Sequence, residues 1–137
     1  MLRPLAMTAL VAALATPAHA DLLDLGAAEF TERCAVCHGT GGKGDGPLAS
    51  ILRIESTDLT QLAAQNEGSF PFEWVYRVID GRAEVAAHGP RTMPVWGHDY
   101  KAITNAERSI YERNRPTEDI VAERILALTR YLETIQE

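Results

Sequence analysis

The chain has 137 residues, 46% hydrophobic and 23% charged, with 13 Lys+Arg against 19 Asp+Glu and a formal net charge of −6. That length supports one domain, and the globular composition excludes a disordered tail or a polytopic membrane protein. The acidic balance excludes a nucleic-acid binder, which needs a basic face to displace counterions, and two cysteines are too few for a disulfide-built mini-protein.

Residues 1–20 read MLRPLAMTALVAALATPAHA. Arg3 gives a positive start, an apolar run extends from Leu5 to Ala15, Pro17 breaks it, and Ala18-His19-Ala20 forms an A-x-A cleavage site. This is the layout of a secretory signal peptide. The run is shorter than the roughly 20 residues a membrane span takes; an uncleaved anchor is the competing reading. Cleavage after Ala20 leaves residues 21–137 as a single exported domain, placed in the periplasm, with no transmembrane segment. It removes Arg3 and no acidic residue, and it leaves Met93 as the sole methionine. Two thiols three residues apart do not stay free in an oxidising compartment, so something must occupy Cys34 and Cys37.

In chain order, a helix is expected from about Leu22 to His38, with Leu22, Leu25, Ala28 and Phe30 as its apolar stripe. Gly39 stops it, and the glycine-rich TGGKGDGPLAS is a loop. Ser56 or Thr57 caps a short helix through Leu62 and Ala64, ended by Asn66-Glu67-Gly68. Ser69 caps the next, with Pro71 in its first turn; it runs through Trp74, Val75 and Val78 to Ile79 and stops at Asp80-Gly81. Residues 82–97 show no clean period. Thr104-Asn105-Ala106-Glu107 fits a capping box that opens a helix through Tyr111. After Pro116 comes the strongest helix, with Ile120, Ile125, Leu128, Tyr131, Leu132 and Ile135 on one broad face and Glu118 and Asp119 in its first turn. No strand pattern emerges, so the fold class is all-α.

The chemistry sits in Cys34-Ala35-Val36-Cys37-His38. On a helix positions 34, 37 and 38 share one face. Two thiols one turn apart can add to the two vinyl groups of a haem, and the histidine after them then lies under the ring, where its imidazole can bind iron. CxxCH therefore reads as c-type haem attachment. A thiol redox pair would leave His38 unexplained and lacks the usual βαβ context, a structural zinc site needs four close ligands, and an ordinary disulfide is a further alternative. For the second axial ligand the candidates are Met93, His88 and His98. Met93 lies in the loop HGPRTMPVWG rather than in apolar periodicity, and Pro94 holds its backbone extended, which favours it over the histidines and over core packing.

Cys34-Ala35-Val36-Cys37-His38-Gly39, the loop TGGKGDGPLA and Met93-Pro94-Val95-Trp96-Gly97 together resemble the bacterial class I monohaem cytochromes c, from Phe30 to the last helix. The resemblance implies a small helical shell around one covalent, thioether-linked haem c, with N- and C-terminal helices crossing at Gly26, Phe30 and Tyr131. It also implies that the Pro47 carbonyl accepts a hydrogen bond from the His38 ring, which orients the ring and raises its basicity.

With imidazole and thioether filling both axial positions, the iron can change oxidation state but not readily bind substrate. The chain then reads as a periplasmic electron carrier rather than an enzyme, with a relatively high potential. The Trp96 indole N–H and the Arg82 and Arg91 guanidiniums are candidates to meet the haem propionates. Only Lys43 and Lys101 are lysines, so protein redox partners should offer a basic or apolar docking face. The competing functions are a cytochrome subunit of a periplasmic dehydrogenase or other respiratory enzyme, a peroxidase or gas sensor with a displaceable distal ligand, and a thiol oxidoreductase without haem.

Overall fold

The computed structural model describes residues 18–52, 54–83, 96–107 and 114–137. Among them there is no strand, and the all-α expectation is met.

The first helical run is longer than expected and is not uniform. Helix α1 (Ala18–Glu29) passes into a π-helical turn (Phe30–Cys34) and then into α2 (Ala35–His38). The predicted cleavage point after Ala20 falls in the first turn of α1. In the π turn the Ala35 N–H reaches back five residues to the Phe30 carbonyl. In an α-helix, residues five apart point to different sides. The wider turn lets Glu29 and Phe30, and then Cys34 and Ala35, all face inward, where each is buried. The expected stripe is corrected accordingly: Ala28 is exposed, and Gly26, Glu29 and Phe30 carry the buried face.

The expected helix after Thr57 is instead a pair of 3₁₀ turns, Leu59–Gln61 and Ala64–Asn66. Its cap is Asp58 rather than Ser56 or Thr57, because the Asp58 carboxylate accepts from the Thr60 backbone N–H at 2.9 Å and the Thr60 hydroxyl at 2.6 Å. Helix α3 (Phe72–Asp80) starts one residue after Pro71, which holds the N-cap position assigned to Ser69, and it stops at left-handed Gly81 as expected. Helix α4 (Trp96–Glu107) overturns the capping box. Thr104 lies inside it, 1% exposed, because Trp96, Tyr100 and Thr104 recur at helical spacing along its core face. Helix α5 (Thr117–Thr134) begins after Pro116, as read from the sequence.

The core forms where α1 crosses α5. A Cβ at Gly26 would lie 2.2 Å from the Ala127 carbonyl oxygen, so only glycine permits this approach. Beside it the Phe30 and Tyr131 rings meet at 5.3 Å between centroids. The three residues expected at the crossing are therefore the ones that make it. Val75 and Ile79 of α3, Tyr100 of α4 and Val121, Ile125, Leu128 and Leu132 of α5 complete the cluster. A buried carboxylate ties the same elements together. Glu29, 4% exposed, pairs with Arg33 and with Arg124 of α5, each at 2.9 Å.

Candidate functional site

The site is built on the end of the first helical run. Cys34 is 8% exposed and belongs to the core cluster, whereas Cys37 and His38, toward the end of α2, are half-buried. No disulfide joins Cys34 to Cys37. Burial, and secondarily the Glu29 carboxylate, push the Cys34 thiol up to about 12. A thiol–disulfide oxidoreductase relies on the opposite, a leading cysteine lowered toward neutrality. Among the described residues no three His, Cys, Asp or Glu side chains are grouped to hold a metal ion.

After His38 the chain folds back along the end of α2. The Gly44 N–H donates to the His38 carbonyl at 2.8 Å, the Gly46 N–H to Cys37 at 3.2 Å and the Leu48 N–H to Val36 at 3.0 Å. These bonds satisfy the carbonyls that a helix C-terminus leaves open. The approach is close: a Cβ at Gly46 would lie 2.6 Å from the Cys37 carbonyl carbon. This is why position 46 takes glycine.

Pro47 lies in this return segment, between the amides of Gly46 and Leu48 that bond to α2. It does not supply the acceptor expected for the histidine. The His38 Nδ1 sits 2.9 Å from the Thr57 carbonyl oxygen, nineteen residues on. A carbonyl can only accept, so Nδ1 carries the ring proton and the imine lone pair belongs to Nε2. That is the tautomer a metal-binding imidazole requires. Thr57 was read from the sequence only as a possible helix cap. Its role follows from the 56–60 segment packing against the glycine loop, with the Leu59 N–H donating to the Gly42 carbonyl at 2.7 Å.

The surroundings suit a flat apolar group. Beside α2 and its return segment, Val36 is 41% exposed, Leu48 38%, Ile51 75% and Leu52 42%. These large aliphatic side chains lie in the same stretch of chain as two thiols one turn apart and an imidazole whose Nδ1 is held on a carbonyl. This donor set, softer and more apolar than a hydrolytic site, fits a haem held through sulfur and nitrogen.

The other expected site residues are distributed as follows. Trp96 opens α4 and packs half-buried against the core, its ring 6.0 Å from that of Tyr100. Arg82 pairs with Asp80 and lies over the Tyr76 ring at 5.8 Å. Met93, Arg91 and His88 lie outside the described residues, as does the His98 side chain.

Sequence reasoning missed the buried Glu29–Arg33–Arg124 network. A charged residue one position from the apolar Phe30, with Arg33 four residues on, was the available signal. It also missed Gln136, whose side chain reaches Leu59 and Ala63; no local pattern marks it. No helix among the described residues is long and apolar enough to cross a membrane. Residues 21–110, more than half of the chain, match the family model described as cytochrome c oxidase, cbb3-type, subunit III. No curated protein and no solved structure matches the chain.

Proposed function

The chain belongs to the cytochrome c family of the cbb3-type oxidase subunit III class, a haem-based electron-transfer domain with covalently bound haem c, and from that premise we propose the finer reading that it is a periplasmic one-electron carrier with a single His/Met-ligated haem. The observation that carries it is the orientation of His38 beside paired thiols: Nδ1 lies 2.9 Å from the Thr57 carbonyl oxygen, so Nε2 is the ring nitrogen that would bind iron. In this reading Cys34 and Cys37 form the thioether links, His38 is the proximal ligand and Met93 the distal one. The bound haem supplies an iron that alternates between ferrous and ferric states.

The protein's own residues do the rest. His38, braced through Nδ1, donates more strongly and cannot rotate away from the metal. Met93 contributes a soft thioether that favours the ferrous state. Leu48, Ile51 and Leu52, exposed in the return segment, would give the haem apolar cover, which penalises the more charged ferric state. Pro47, Trp96 and Arg91 are assigned to the surrounding shell. The family match beginning at residue 21, directly after the A-x-A motif, is in keeping with the signal-peptide reading, in which the mature domain spans 21–137 and is exported. The description of the family by an oxidase subunit favours a role beside a respiratory complex, and the acidic surface calls for a partner with a basic or apolar docking face.

Optical spectra of the mature protein from a host that matures c-type haem test this directly. The expected result is a low-spin thioether-linked haem, with a sulfur-to-iron band in the ferric state and no rapid carbon monoxide binding in the ferrous state. A colourless product overturns the haem assignment. Rapid, complete carbon monoxide binding overturns Met93 ligation and restores the gas-sensor or peroxidase reading.

A further inference from the structure

We propose that Gln136 is a positioning residue for the proximal imidazole, acting through the backbone that carries Thr57; this rests on His38 being the haem ligand. Gln136 follows α5 and its half-buried side chain is fully engaged with backbone. Its Oε1 accepts from the Ala63 N–H at 2.8 Å, and its Nε2 donates to the Leu59 carbonyl at 2.8 Å and to the Leu132 carbonyl at 2.7 Å. One amide thus bolts both ends of the 59–63 segment to the last turn of α5.

The neighbouring residues reinforce the same attachment. The Glu137 N–H donates to the Thr60 carbonyl at 3.0 Å. The Glu137 carboxylate pairs with Lys43 of the glycine loop at 2.7 Å. Ile135 reaches Gly42, where a Cβ would lie 2.9 Å from its Cδ1. Residues 135–137 therefore clasp both segments that frame His38: the glycine loop, which bonds to the His38 carbonyl, and the Thr57–Thr60 segment, which bonds to the ring.

The lever is short. The Thr57 carbonyl that meets Nδ1 is two peptide units from the Leu59 carbonyl that Gln136 holds. Between them the Leu59 N–H is fixed on Gly42 and Asp58 is fixed on Thr60. Releasing Leu59 lets the Thr57 carbonyl drift, lengthens its bond to Nδ1–H and makes the imidazole a poorer donor. A poorer donor stabilises ferric iron less, so the midpoint potential rises.

The test compares three variants of the haem-loaded protein. Gln136→Ala removes every bond of the amide, and Gln136→Glu keeps the side-chain length but cannot donate to Leu59. Val121→Ala, at the far end of α5, loosens the core without touching the clasp. Each is followed by redox titration, by exchange of the His38 Nδ1 proton in the reduced protein, and by backbone amide exchange at Leu59 and Ala63. Both Gln136 variants should favour reduction at least threefold, about 30 mV upward at 59 mV per tenfold for one electron, with faster Nδ1 and Leu59 exchange. Val121→Ala should lower stability and leave potential and Nδ1 exchange unchanged. If Gln136→Ala does not accumulate, Gln136→Glu carries the same expectation. If the Gln136 variants behave like Val121→Ala, the clasp is only structural and the proposal falls. If the wild-type protein carries no haem, or His38→Ala keeps the wild-type spectrum, the ligand assignment beneath it has failed instead.

Discussion

Adding one methyl group at Gly26 tests the helix crossing on which the fold depends. A Cβ there would lie 2.2 Å from the Ala127 carbonyl oxygen, 2.7 Å from its carbon and 2.8 Å from the Tyr131 Cβ. Two of these are backbone atoms of α5 and cannot rotate aside. Restoring ordinary contact at about 3.4 Å requires α1 and α5 to separate by roughly 1 Å, and Ala127 and Leu128 at the crossing are at most 1% exposed. Overpacking of this kind costs about 1–3 kcal/mol, the upper end applying where backbone is struck. Alanine returns about 1 kcal/mol of helix propensity over glycine. Gly26→Ala should therefore lose about 2 kcal/mol net, a fall in Tm on the order of 10 °C for a domain of this size. The Phe30 and Tyr131 rings should also part from their 5.3 Å spacing. Ala127→Gly should give no rescue, since the clash is with the carbonyl and not the Ala127 methyl. Urea unfolding of the haem-loaded protein measures the loss. A Gly26→Ala variant as stable as wild type, or more stable by the propensity gain, would show that the helices do not approach as described.

Glu29→Ala strips a buried carboxylate from Arg124 and from Arg33, which still has Glu32 at 3.8 Å, both arginines being 17% exposed at the side chain; losing these charge-assisted bonds should cost about 1.5–3 kcal/mol in urea unfolding. Met93→Ala should lower the midpoint potential and let ferrous protein bind carbon monoxide rapidly; a variant with wild-type potential would remove Met93 from the iron. Bonds from the Thr60 hydroxyl and then the Thr60 backbone N–H hold the Asp58 carboxyl below its ordinary 3.8. Its contribution is therefore complete above that value and is lost as pH falls through the lowered folded value. Asp58→Ala should flatten the decline in stability below about pH 3.8, and an unchanged acid limb in denaturant titrations would refute the cap.

The helices at the two ends were legible because their signals are local and redundant. Around α5, Pro116, the acidic first turn and a long apolar stripe all agree, and the helix starts where they say it does. The crossing was legible through Gly26, Phe30 and Tyr131, whose spacing matches a known pattern. The internal caps were not. Ser69, Thr57 and Thr104 each satisfy a local capping rule, yet Pro71, Asp58 and the core face of α4 take precedence. A cap is worth about 1 kcal/mol, whereas seating a tyrosine or isoleucine side chain in the core is worth more. The register of Tyr100 and Thr104 therefore overrides the capping box. The π turn had no readable signal, because it exists to keep Glu29, Phe30, Cys34 and Ala35 on one side of the chain. That need is created by α5 and not by the segment itself.

The same division explains the site. Cys34, Cys37 and His38 are adjacent in sequence, and helix geometry alone brings them to one face. What orients His38 is non-local, and sequence reading assigned it to Pro47 by family pattern. The return segment here uses the amides on either side of Pro47 to satisfy the carbonyls of Cys37 and Val36. That docks residues 46–48 along the end of α2, while the Thr57 carbonyl meets the ring edge. Thr57 is held there because Leu59 is pinned between Gly42 and Gln136. The orientation of the His38 ring thus traces to a residue nearly a hundred positions away, after the last helix. Local patterns can name the group proposed to bind iron, but the firmness of its placement depends on how the residues after α5 hold the loop.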